Sequence, residues 1–169
     1  MLKALDERLE RLSKDTDDDF HYQIRCRIGK RATGLLEQRL KRLICLMPQL
    51  LSRVLDYCEH KEVPLAIRRS IGFILTDLYR PRGFLPEDNQ KLFGYLDDAY
   101  CVSLVYEMIL RHLLKAEVKL DAVDKDFLKQ FVLMRRGVKT VIPEEERKIS
   151  DMVVDVFKSN SNSFYAAFV

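Results

Sequence analysis

Four carboxylates, Glu87, Asp88, Asp97 and Asp98, crowd one short stretch of the chain, with Tyr95 among them. Carboxylates converging from a loop and a helix start supply the hard oxygen ligands that magnesium or calcium takes. Two of them buried close together would instead share a proton, because like charges at short range cannot both ionise cheaply. A third reading needs no ligand. Asp88 and either Asp97 or Asp98 stand where helix caps are expected, and a capping carboxylate contributes about 1 kcal/mol. Capping outweighs cation binding here, and a divalent cation is kept only as the alternative.

Other residues suited to chemistry are scattered. Asp15, Asp17 and Asp19 have calcium-loop spacing, but Phe20 stands where the loop needs Gly for its sharp turn, and Cys26 where it needs a bidentate Glu. His21, His60 and His112 lie far apart, and Cys58-x-His60 offers too few ligands for the four that zinc takes. No G-x-S-x-G, P-loop or G-x-G-x-x-G occurs. Ser70 and Ser103 sit in apolar helical patterns without an evident base. The residues therefore argue against nucleophilic catalysis and lean away from an enzyme.

One charged segment stands apart. From residue 20 to 42 the chain carries Arg25, Arg27, Lys30, Arg31, Arg39, Lys41 and Arg42 against the single acid Glu37. Such a patch could meet phosphates of nucleic acid or of anionic lipid headgroups. A solvated helix face paired with acidic neighbours such as Asp15 to Asp19 explains it more simply. The net charge of +3 is too small to require nucleic acid, and aromatic residues do not alternate with the cations as single strands would need.

The elements that must position these residues follow from composition and period. A chain of 169 residues, 47% hydrophobic and 33% charged, is long enough to bury a core as one domain. With six Gly, five Pro and no Trp, the chain favours long helices over many short strands. Its four cysteines, Cys26, Cys45, Cys58 and Cys101, lie in helical patterns and read as thiols of a reducing compartment. Residues 1–14 alternate Leu with charge, unlike a secretory signal. Residues 96–114 carry Asp97, Asp98, Glu107, Arg111 and His112, unlike a membrane span of about 20 apolar residues. The expectation is a soluble cytoplasmic protein, with peripheral membrane contact as a variant.

Leu2, Leu5, Leu9 and Leu12 give one stripe of a first helix. Leu36, Leu40, Leu43, Met47, Leu50, Val54 and Cys58 repeat at spacings of four and three, widened by Leu35, Ile44, Leu51 and Leu55. That seam reads as core rather than dimer surface. Pro48 within it predicts a kink or two helices. Pro64 opens a helix that must stop before Pro81. Residues 96–115 are apolar nearly all round at their start, which predicts a central helix. Asp121 or Asp124 would cap a helix through Phe131 that Gly137 stops. Pro143-Glu144-Glu145-Glu146 opens the last helix. Residues 159–163 read as a flexible linker within a tail, 159–169.

The stretch between the two most apolar helices resembles the YkvA-like family, a small bacterial helical domain. In that pattern an apolar helix ends in Tyr, P-x-D-x-I-P-D follows, and G-Y-x-D-D opens another apolar helix. Pro81, Leu85, Pro86 and Glu87 match the first block, with Leu for Ile and Glu for Asp; Gly94, Tyr95, Leu96, Asp97 and Asp98 match the second. Gly83 stands where the family pattern has its first Asp, so any role of that carboxylate is missing here. The resemblance covers about residues 62–112. It implies an all-helical fold, at times membrane-associated, and no particular activity.

The reading that results is an all-α, single-domain bundle of six to eight helices over residues 1–158. Residues 65–79 and 96–115 are expected as its central antiparallel pair. The expected function is a non-enzymatic protein-interaction module, self-associating or bound to a protein partner. The alternatives are an anionic membrane surface met by residues 25–42 and a metal-dependent activity at the carboxylates of residues 87–98. The candidate binding residues are Glu87, Asp88, Tyr95, Asp97 and Asp98.

Overall fold

The structure of the chain, a computed structural model, describes residues 2–14, 19–61, 63–78 and 91–166. Among the described residues are seven α-helices and no strand. They are α1 (Leu2–Lys14), α2 (Asp19–Ile28), α3 (Gly34–Glu59), α4 (Leu65–Leu78), α5 (Leu96–Lys115), α6 (Ala122–Val141) and α7 (Pro143–Ala166). Short 3-10 turns at Gly29–Arg31 and Leu92–Tyr95 precede α3 and α5. The chain is an all-α bundle around one hydrophobic core.

Local chemistry sets most of the ends. Thr33 caps α3 by accepting from the Leu36 N–H (3.3 Å), and Asp121 caps α6 by accepting from the Asp124 N–H (2.8 Å). Pro143 begins α7 with three glutamates in its first turn, as the positive helix end favours. α3 runs unbroken through the buried Pro48. Pro48 lacks an N–H for the Ile44 carbonyl, but both side chains are buried in the core and packing holds the helix together. The seam is indeed core: Leu40, Leu43, Ile44, Met47, Leu50, Leu51 and Val54 are buried, while Leu35 and Leu55 at its edges are exposed.

α5 is the centre of the bundle. Leu96, Tyr100, Tyr106, Ile109 and Leu110 are wholly buried, and each such aliphatic side chain contributes about 1.5–3 kcal/mol. The neighbours of α5 differ from the expected pair. It packs most extensively on α3, then on α7 and α6, whereas α4 lies chiefly on α7. α4 meets α5 where Ile67, near its start, shares a groove with Met108 and His112, late in α5. A helix buried all round needs several neighbours, and periodicity shows which face is buried but not what covers it. α7 runs parallel to α5: Tyr100 meets Glu146 and Ser150, while Met108 and His112 share a groove with Val154 and Phe157.

Gly137 does not stop α6, which continues to Val141. Its place is on the surface shared with α3. A Cβ there would stand 2.9 Å from Leu36 Cδ1 and 3.3 Å from Leu40 Cδ2, so glycine serves close helix approach rather than termination. α7 likewise continues through residues 159–163, where a linker was expected. Asp15, Asp17 and Asp18 lie outside the described residues.

α5 ends in a Schellman motif. The Val118 N–H donates to the Leu113 carbonyl (2.9 Å) and the Glu117 N–H to the Leu114 carbonyl (3.2 Å). Glu117 takes the left-handed conformation, φ 58°, which costs a residue with a Cβ about 1 kcal/mol and glycine almost nothing. Glu117→Gly should therefore raise the melting temperature by about 2–4 °C. Thermal unfolding followed by circular dichroism measures it, and an unchanged or lower midpoint would refute the strain argument.

Candidate functional site

Glu87 and Asp88 lie outside the described residues, as do Pro81, Gly83, Leu85 and Pro86. Tyr95, Asp97 and Asp98 are placed where the 3-10 turn runs into α5. Tyr95 occupies the N-cap position without a side-chain cap, and Arg8 of α1 covers its ring (5.6 Å). The two aspartates are therefore not N-caps but belong to the first turn of α5. Asp97 is buried, and its Oδ1 accepts the Asp98 N–H (2.9 Å), one of the donors a helix start leaves unpaired. Asp98 is half-buried. Burial, and secondarily the charge of Asp97, push its carboxyl up to about 7. Among the described residues no group of three or more His, Cys, Asp or Glu could hold a metal ion.

The basic segment does not form one face. Arg27 stacks over Phe93 (4.6 Å) and Lys41 over Phe20 (5.3 Å), and those two rings meet edge to face at 5.7 Å. These two cations thus cover an aromatic pair that joins α2 to the turn before α5. Arg42 faces α6 across a cavity of about 60 Å³ that also touches Arg53, Asp126 and Gln130. Arg25, Lys30 and Arg31 are exposed and Arg39 is half-buried. Of the leucines beside them, Leu40 and Leu43 are in the core and Leu35 is exposed. Among the described residues no helix is long and apolar enough to cross a membrane.

Two polar networks inside the bundle were not foreseen. In the first, buried Asp124 accepts from Arg53 (2.7 Å), from the Tyr57 hydroxyl (2.8 Å) and from the Tyr106 hydroxyl. Arg53 also donates to Asp121 (3.0 Å). Burial, and then the bond to Asp124, raise the pKa of both tyrosines. Burial opposes the charge of Arg53, but its bonds to Asp121 and Tyr106 outweigh that and keep it cationic. In the second, Tyr100 and Ser150 donate to Glu146 (2.5 and 3.0 Å), and Arg135 lies 3.5 Å from Glu146 and 3.8 Å from Glu107. Both networks tie α5 to its neighbours with their groups mutually satisfied, which is how buried polar groups stabilise a specific packing. The signal in the sequence was Arg53 and Tyr57, one turn apart beside the Leu seam. Their partners lie 53 to 71 positions away, where no spacing pattern reaches.

A larger recess lies elsewhere. A groove of about 390 Å³ is lined by Ile67 of α4, by Met108, Arg111, His112 and Lys115 of α5, and by Val154, Phe157 and Lys158 of α7. Its construction is local. Arg68 clamps the start of α4 by donating to the carbonyls of Val63 (2.8 Å) and His60 (2.7 Å), which sets Ile67 in place. The Ser70 hydroxyl, 3.3 Å from the Val156 carbonyl, holds α4 against α7. Glu107 accepts from Arg111 at 2.6 and 2.9 Å and orients that guanidinium. Burial, and then the charge of Lys115, depress His112, so it is neutral at neutral pH. None of the lining residues is acidic. The volume falls in the range of ligand clefts, about 300–1,000 Å³.

Two of the thiols are poor nucleophiles. Burial is the main cause that pushes the Cys45 and Cys58 thiols up, away from the thiolate. The family-like residues 94–98 stand at the opposite end of α5 from the groove, about 20 Å along the helix at 1.5 Å per residue. Searches with family models, against curated proteins and against solved structures found no match to this chain.

Proposed function

We propose that the chain is a helical protein-interaction module that binds through the groove between α4, α5 and α7, rather than a catalyst. The observation that carries this reading is the groove itself, where Val154 and Met108 reach solvent above the largely buried Ile67 and Phe157, with cations at the edge. Recesses of this size with an apolar floor and a few polar groups at the edge are the usual form of binding sites. Commitment of the buried carboxylates and tyrosines to structural bonds supports binding over catalysis. The membrane and metal readings gain less support. Arg27, Lys41 and Arg42 face separate neighbours, and Asp97 and Asp98 belong to the first turn of α5.

The test uses a labelled synthetic amphipathic helix of about four turns, with a Leu stripe and an uncharged Gln face. Fluorescence anisotropy should show saturable binding to the full chain. Val154 is more than a third exposed, so Val154→Asp leaves the core intact while placing a charge on the groove wall. This variant should weaken binding at least about tenfold, because an unpaired carboxylate resists desolvation. Equal binding by both proteins, or none by either, would overturn the reading.

A further inference from the structure

The groove's shape and charge define its occupant more narrowly, and this step rests on the reading just given. The α5 wall is built from Met108, Arg111, His112 and Lys115, positions i, i+3, i+4 and i+7 of one helix face. They span two turns, about 10 Å along the axis. The α7 wall, Val154, Phe157 and Lys158, runs parallel beside it, and Ile67 of α4 adds to the floor. A trough between two parallel helices matches the ridge of a third, which packs by the same ridge-and-groove geometry as the bundle itself. Cations stand on both walls: Arg111 and Lys115 on one, Lys158 on the other. Arg111 is already bonded to Glu107, so Lys115 and Lys158 carry most of the charge offered to a ligand.

We infer that the groove receives an acidic amphipathic helix of a partner protein, its apolar stripe on Val154 and Met108 over the edge of the largely buried Phe157, and its flanking carboxylates against Lys115 and Lys158. Opposite charges across a partly desolvated edge select the partner and set its register more than they add affinity. The occupant's face therefore needs apolar residues at i, i+3 or i+4 and i+7, with Glu or Asp on either side.

The experiment compares three synthetic helices with the same Leu stripe and Gln, Glu or Lys at the flanking positions, at low and high salt. The Glu peptide should bind the full chain about tenfold more tightly than the Gln peptide at low salt, and the Lys peptide more weakly than either. High salt should shrink the difference. The double variant Lys115→Glu, Lys158→Glu changes two exposed side chains and should reverse the order. If the Gln peptide binds but charge makes no difference, the inference fails while the interaction reading stands. If no peptide binds, both fail. Saturable binding of laurate with this charge dependence, and of no peptide, would make a single-chain amphiphile the occupant and overturn the inference. So would a dimer seen by sedimentation and abolished by Val154→Asp, which would make a second copy the occupant.

Discussion

Asp124→Ala is expected to destabilise the protein by about 3 kcal/mol. Asp124 is 1% exposed and accepts three hydrogen bonds, from Arg53, Tyr57 and Tyr106. Removing one partner of a buried ion pair costs about 3–5 kcal/mol, because the remaining charge stays desolvated. Arg53 keeps its bond to Asp121 and a quarter of its side chain reaches solvent, which moves the expectation to the low end. Tyr106 has no such outlet, being wholly buried, and a stranded hydroxyl costs about 1–3 kcal/mol. Urea unfolding should show the loss, together with a fall in melting temperature of about 6–12 °C. Tyr106→Phe, which removes one donor and strands nothing charged, should cost less than half as much. In the double variant Arg53→Met, Asp124→Ala the two losses should be strongly non-additive, because the second change removes a group the first has stranded. A loss below about 1 kcal/mol for Asp124→Ala would mean that water replaces the carboxylate.

The second large effect is on pH. Asp98 has its carboxyl pushed from 3.8 up to about 7, by burial first and by Asp97 second. Between those values the folded state holds a proton that the unfolded state has released, so stability falls as pH rises through the window. Below 3.8 both states are protonated and there is no penalty; above about 7 both are ionised and the penalty is complete. At 1.36 kcal/mol per unit the full shift would amount to about 4 kcal/mol. Partial exposure and the positive end of α5 reduce it to about 2 kcal/mol. Asp98→Asn should accordingly be more stable than the wild type at pH 8 by about that amount and equal to it near pH 4. Urea midpoints across this range decide the matter; two parallel curves would show that Asp98 titrates normally. A carboxyl titration by NMR reads the same group directly.

Helix content was legible in the chain because local spacing determines it. The seam from Leu36 to Val54 and the all-round apolar start of residues 96–115 each identify a buried helix. What local spacing cannot show is which helix covers which face. Residues 65–78 and 96–115 are the two most apolar segments, yet α5 rests on α3 and α7. Gly137 misled for a related reason. The same residue that ends helices by its freedom also allows close packing within them, and only Leu36 and Leu40 across the interface decide between the two. The groove left a faint trace: Arg111 and His112 interrupt an apolar run. Its other wall is more than forty positions away on α7, so no motif announces it. The aspartates at the start of α5 were legible as residues and as a location, but the 3-10 turn before them, which moves the cap position to Tyr95, was not.

The arrangement around α5 also constrains the order in which the molecule can be completed. Its closest companion, α3, precedes it in the chain, while α7, which receives the Tyr100 hydroxyl at Glu146, is the last helix described. During synthesis at about 5–20 residues per second, α5 emerges with one flank covered and the other bare. Ile149, Val153 and Phe157, all buried in the finished protein, are what close that flank. The α7 wall of the groove is thus translated after its α4 and α5 walls. A nascent chain carries an open apolar stripe until α7 arrives, and the groove between α4, α5 and α7 takes shape only then.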